Sequence, residues 1–234
     1  MAGVIRFPAT NTLAAYIDSA DPVFGTGSDG TQILDGTTTV LSMAPSSSSY
    51  AMTSDLFFHN LTIKSNVTLA PNGYRIFVKN ALILESNATI GFSTGFSSNG
   101  TIAQGGAANT AVTHSLGGSA TGFSATAPTA ATGGPNYYKQ PRFAIQGYSV
   151  TVSGLTRLTG GAGGSGQAGG GVIILSSRFI YGPDSGTAYI KAPGTAPAGG
   201  GVILIVSSAA ALPASVTTNV AGQNAGTVNY MQLV

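Results

Sequence analysis

The chain has 234 residues, with nine Lys plus Arg against seven Asp plus Glu, 34 glycines and no cysteine. Charge lies far below the usual quarter of residues and glycine at roughly twice its usual share. Disulfides, Cys-ligated zinc and thiol catalysis are excluded, charge-driven disorder is excluded by the low net charge, and a formal charge of +2 leaves no electrostatic footprint for nucleic acid. Solubility must then come from uncharged polar groups or from incorporation into a larger assembly.

Residues 1–24 form an N-terminal segment. MAGVIRFPATNT lacks a basic stretch followed by an apolar one, so no signal peptide is expected and folding in the cytoplasm is. Leu13–Ile17 fits a helix turn or a strand, and Asp21-Pro22 stops it. The segment reads as a docking arm, or equally as a frayed or sheet-bound terminus. No run approaches the ~18 apolar residues of a membrane helix, so no membrane insertion is expected.

Residues 25–102 read as a β-repeat core. Gly25-x-Gly27-x-x-Gly30 has the form of a dinucleotide fingerprint, but Thr31–Leu34 runs into an Asp35-Gly36 turn rather than a helix. Thr37–Leu41 is β-branched and predicts a strand; Ala44-Pro45 and the serines after it predict a loop. From Leu61 the chain nearly repeats at an offset of 21: Leu61, Ile63, Ser65, Asn66, Thr68 and Leu69 fall on Leu82, Leu84, Ser86, Asn87, Thr89 and Ile90. Ser98–Ile102 is a third, shorter copy. Strands are predicted near 59–63, 67–69, 74–78, 81–85 and 88–90, with a Pro71-Asn72-Gly73 turn. A repeat this short cannot bury its own apolar face, so copies must stack. The expected class is all-β, with a β-solenoid or β-helix-like body and glycine-rich corners.

Residues 103–141 are a Gly/Ala/Thr-rich arm without periodicity. Such a length without structure is functional or extended. Its anchors Phe123, Tyr137 and Tyr138 are the candidate surface contacts, tyrosine among small polar residues being the make-up of a contact surface. The plainer reading is a loop tied down by aromatic rings. Residues 142–234 form a glycine-rich β-repeat region, with strands predicted over 142–158. There Gly169–Ile174 recurs 30 residues on as Gly199–Leu204. Glycine runs persist where backbone must approach backbone. Short strands follow at 179–181, 188–190, 216–220 and 226–234.

No catalytic, cofactor or metal site is expected. A pair of carboxylates for glycoside cleavage has one imaginable form, Glu85 with Asp55 on neighbouring coils, and turn or strand-edge acids are the favoured alternative. His59 and His114 are isolated, and there is no G-x-S-x-G or D-x-D-x-D. Lys64, Arg75 and Lys79 read as a solvated strand face. Asn60, Asn66, Asn87 and Asn99 open Asn-x-Thr phrases, formally glycosylation acceptors. The favoured alternative is a ladder of asparagines hydrogen-bonded from coil to coil.

NLTIKSNVTLAPNGYRIFVKNALILESNATI, the Gly/Ala-rich arm, and GGGVIILSSRFI with GGGVILIVSS together resemble glycine-rich bacteriophage virion proteins of tail-fibre, spike or head-attached type. The resemblance covers about residues 24–102 and 159–234. It implies a non-catalytic structural component at the particle exterior, homotrimeric, contacting other virion proteins and a host surface glycan or protein. The alternative is a glycosylated cell-surface filament subunit exchanging terminal strands.

Overall fold

The computed structural model describes residues 23–72, 74–91, 170–194, 199–222 and 225–233. The 103–141 arm, the strands predicted over 142–158, and residues 1–22 lie outside the described residues.

Every regular element among the described residues is a strand: β1 (Thr31–Leu34), β2 (Ser49–Ala51), β3 (Leu56–Phe58), β4 (Asn60–Ile63), β5 (Thr68–Ala70), β6 (Arg75–Leu84), β7 (Thr89–Gly91), β8 (Val172–Tyr181), β9 (Ala188–Lys191), β10 (Val202–Ser207), β11 (Val216–Asn219) and β12 (Thr227–Gln232). They form two sheets. The larger has the order β1-β4-β6-β8-β10-β12, with β3 also on β6; the smaller has the order β11-β9-β7-β5-β2. All ten strand pairings are parallel. The chain alternates between the sheets, and each strand lies on the one its own sheet received a passage earlier.

The 21-residue offset is the observed register. Leu61 pairs with Leu82 and Ile63 with Leu84 in the larger sheet, and Leu69 with Ile90 in the smaller. The 30-residue offset holds likewise, Val172 to Leu175 facing Val202 to Ile205. Side chains alternate between the faces of a strand, so in-register copies build continuous apolar rows. Leu34, Ile63 and Leu84 from one sheet and Leu69, Ile90 and Ile190 from the other are fully buried in a single cluster that draws on both. Each such side chain contributes about 1.5–3 kcal/mol relative to exposure.

The second glycine run has a steric cause. A Cβ on Gly201 would overlap the Gly171 carbonyl oxygen, and one on Gly200 would overlap that of Val220. At this corner Gly201 N donates to Ala192 O at 2.8 Å, so the backbones of successive passages meet with no room for a side chain.

Two expectations are corrected. Thr37–Leu41 is not a strand: the Asp35 carboxylate accepts from the Thr37 and Thr38 N–H groups at 2.7 and 2.8 Å and from both hydroxyls. This pulls the threonines into a turn, and Leu41 and Ser42 follow at φ of 48° and 65°. The buried Tyr50 hydroxyl locks the loop, lying 2.8 Å from Thr38 O and 3.2 Å from Asp35 Oδ1 as donor and accepting from Gly36 N. Second, the strands expected at 74–78 and 81–85 are one strand, β6, with a register shift between Val78 and Ala81 against β8. Phe179–Tyr181 likewise continues β8 rather than standing alone.

Two outcomes are expected. Gly201→Ala will lose far more stability in urea unfolding than Gly30→Ala, which meets only Gln32 Nε2 at 3.9 Å and carries the roughly 1–2 kcal/mol cost of positive φ; equal losses would refute the steric account. The Thr38 and Thr37 N–H groups hold the Asp35 carboxyl well below its usual range. Its contribution is therefore complete above the ordinary aspartate value of about 3.9 and fades as pH falls through the lower folded value. Asp35→Asn should flatten the acid limb of the stability–pH curve, with an unchanged limb counting against the assignment.

Candidate functional site

The chain passes from the larger sheet to the smaller at a corner that successive passages rebuild. Asn66 and Asn87 occupy it at φ of 63° and 60°, a conformation asparagine tolerates better than most residues. Asn87 Nδ2 donates to Asn66 Oδ1 at 3.2 Å, and the next backbone down continues the stack, Asn87 N donating to Thr187 O at 2.8 Å. A second ladder begins β4: Asn60 Nδ2 donates to Thr31 Oγ1 at 3.1 Å and Asn80 Nδ2 donates to Asn60 Oδ1 at 2.8 Å. Three of the four Asn-x-Thr asparagines thus have side chains engaged between passages; Asn99 lies outside the described residues.

Charges are used the same way. Lys64 Nζ lies 2.6 Å from Glu85 Oε1, while Ser65 N and Oγ donate to Glu85 Oε2. The Lys64 ammonium, aided by the Ser65 donors, lowers the Glu85 carboxyl from its ordinary value against some desolvation. Asp55 is bound by the Arg75 guanidinium and accepts from Arg75 N at 2.7 Å. Asp29 Oδ2 accepts from Phe57 N at 2.6 Å. The imagined Glu85–Asp55 pair is not brought together. Asp55 sits at the Arg75 end of β6 and Glu85 just past Leu84 at the other, roughly 30 Å along a strand that rises about 3.3 Å per residue. Two carboxylates acting on one glycosidic bond stand within about 10 Å. Lys64 and Arg75 are separated by the same strand, each on its own acid, so they form no basic stripe.

On the solvent side of this corner lies an open groove of about 660 Å³ lined by Ser65, Ile83, Glu85, Ser86, Tyr181 and the Gly182–Ser185 turn. Ile83 and Tyr181 are register partners on β6 and β8, 39% and 51% exposed. Phe179 stands 6.5 Å from Tyr181, ring centre to ring centre. The row continues through Thr62 on β4 to the exposed Ile33 on β1. An apolar floor, serine hydroxyls and the exposed Asp184 equip this surface to bind a partly apolar, hydroxyl-bearing partner. It brings together no nucleophile and base.

The sequence-predicted contacts Phe123, Tyr137 and Tyr138 lie outside the described residues, as does His114. His59 is exposed between β3 and β4, its backbone N donating to Gly30 O at 2.7 Å. The sequence reading missed Ile83, Phe179 and Tyr181. The available signal was alternation: in LIL and FIY a residue between or beside inward ones must face out.

The ladder predicts a graded response. Asn87→Gly removes the hydrogen bond but keeps an easy positive φ, so it should cost about 0.5–1.5 kcal/mol. Asn87→Ala adds about 1–2 kcal/mol of backbone strain. Urea titrations with the two variants in the reverse order would reject the ladder. Comparison with protein-family models, curated proteins and solved structures found no match for this chain.

Proposed function

We propose that the chain is a β-solenoid and a non-catalytic structural component of a bacteriophage particle, carried on the exterior as a fibre, spike or capsid-decorating protein. In this reading it acts as a homotrimer, seated on other virion proteins and touching a host surface glycan or protein. The observation that carries the proposal is the stacking of near-copies at constant register, with uncharged asparagine ladders along the outside. That arrangement suits a rigid spacer whose length matters more than its chemistry. Further support comes from the acids: of the five described carboxylates, Asp29, Asp35, Asp55 and Glu85 are engaged in turns, backbone contacts or ion pairs. The resemblance of the repeat phrases to glycine-rich virion proteins points the same way. A symmetric trimer would also shelter the exposed Ile33–Ile83–Tyr181 row.

Light scattering on the purified protein should give three times the 23.2 kDa chain mass, and antibodies raised against it should decorate the outside of intact particles. A monomer at micromolar concentration would remove the trimer from the proposal. Recovery only in cell envelopes, with hexose additions on peptides holding Asn66 or Asn87, would replace the whole reading with the surface-filament one.

A further inference from the structure

The larger sheet is buried on both faces where β8 and β10 run. Ile173, Leu175, Ile203 and Ile205 point into the cluster between the sheets. Their alternates Ile174, Val202, Leu204 and Val206 are at most 2% exposed yet do not belong to that cluster. They face the opposite side, and Met231 of β12 joins them as the register partner of Val206.

The course of the chain at residues 23–29 shows what crosses this face. Val23 and Phe24 are buried, and Ser176 Oγ on β8 donates to Val23 O at 2.6 Å. Gly25 lies against the Phe77 side chain on β6, so close that a Cβ there would come within 2.5 Å of the Phe77 Cβ. Asp29 N then donates to Phe57 O on β3 at 2.9 Å, and Phe57 stacks on Phe77 at 4.8 Å. The chain therefore crosses the outer face from β8 over β6 to β3, using about two residues for each strand. Strands are about 4.8 Å apart and two residues span about 7 Å, so the stride is an easy one. Traced backward, the same line passes next over β10 and then β12. Those are the strands whose outward apolar residues need cover. Asn229 of β12 adds a polar mark on that face: it is 7% exposed, and its Nδ2 has no hydrogen-bond partner.

We propose that residues 1–22, with the apolar Leu13, Tyr16 and Ile17 ahead of Asp21-Pro22, are the cover of the β8–β10–β12 face of their own chain. The segment is then an intramolecular strap completing a second apolar layer, in place of a free docking arm. Backbone carbonyls of the strap are the acceptors that suit Asn229 Nδ2.

The full-length protein carries the test, since it has no cysteine to confuse cross-linking. A photo-reactive amino acid in place of Ile17 should give, on irradiation, cross-links within one chain to peptides spanning 202–206 or 227–232. Cross-links to a second chain, or none to these peptides, would overturn the proposal. So would finding that a photo-reactive residue in place of Leu204 captures only residues 92–169. Deletion of residues 1–22 gives a second readout. Amide exchange at Val202–Val206 should quicken several-fold while exchange at Leu61–Ile63 stays as it was; an unchanged rate at β10 would count against the strap. Neither outcome bears on the particle location or the trimer, which are read by antibody labelling and light scattering.

Discussion

The structure depends on backbone hydrogen bonding between passages of the chain that are remote in sequence. Among the described residues no strand pairs with the strand that follows it; the shortest register step is 19 residues, from Ser49 to Thr68. A strand in this chain has no hairpin partner to satisfy its N–H and C=O groups. Each passage completes the one before it and leaves an edge for the next. Stability is thus a property of the pile, and single passages have none of their own.

That constraint sorts the side chains. Inward positions repeat the same apolar shapes at the same depth, Ile63 on Leu84 and Leu69 on Ile90, because parallel registration brings like positions together. Identical charges so aligned would repel. Asparagine aligned on asparagine instead gives each a donor and an acceptor, as Asn66 and Asn87 do. Where charge is used, opposite signs are placed one passage apart, Lys64 beside Glu85 and Asp55 beside Arg75. The scarcity of ionised residues and the abundance of Asn, Ser and Thr follow from this geometry, as does the glycine at corners where backbones touch.

What the sequence made legible was the register. Offsets of 21 and 30 residues translate directly into pairs because parallel stacking preserves spacing. Local preference was a poorer guide. Thr37–Leu41 has the β-branched make-up of a strand, but one carboxylate, Asp35, captures two successive N–H groups and turns the chain. Asn80 looked like a break between strands, whereas the chain absorbs it as a shift in register within β6. The outward row of Ile83 and Tyr181 was hidden for another reason. In runs as short as LIL, apolar residues on both faces conceal the alternation, and only the partner strand tells inside from outside. The second buried face of β8 and β10 was concealed by the same unbroken run of apolar residues.

The corner at Asn66 and Asn87 has one more consequence. Because residues 64–84 occupy one full turn of the path and end in the same conformation in which they began, a tandem duplication of that stretch would slip in as a whole layer. The body would lengthen by about one strand spacing, 4.8 Å, with the Asp35 loop and the Gly200–Gly201 corner untouched. Length in such a protein is therefore inherited in whole steps, and a molecular ruler can be lengthened or shortened by unequal recombination without redesign of either end.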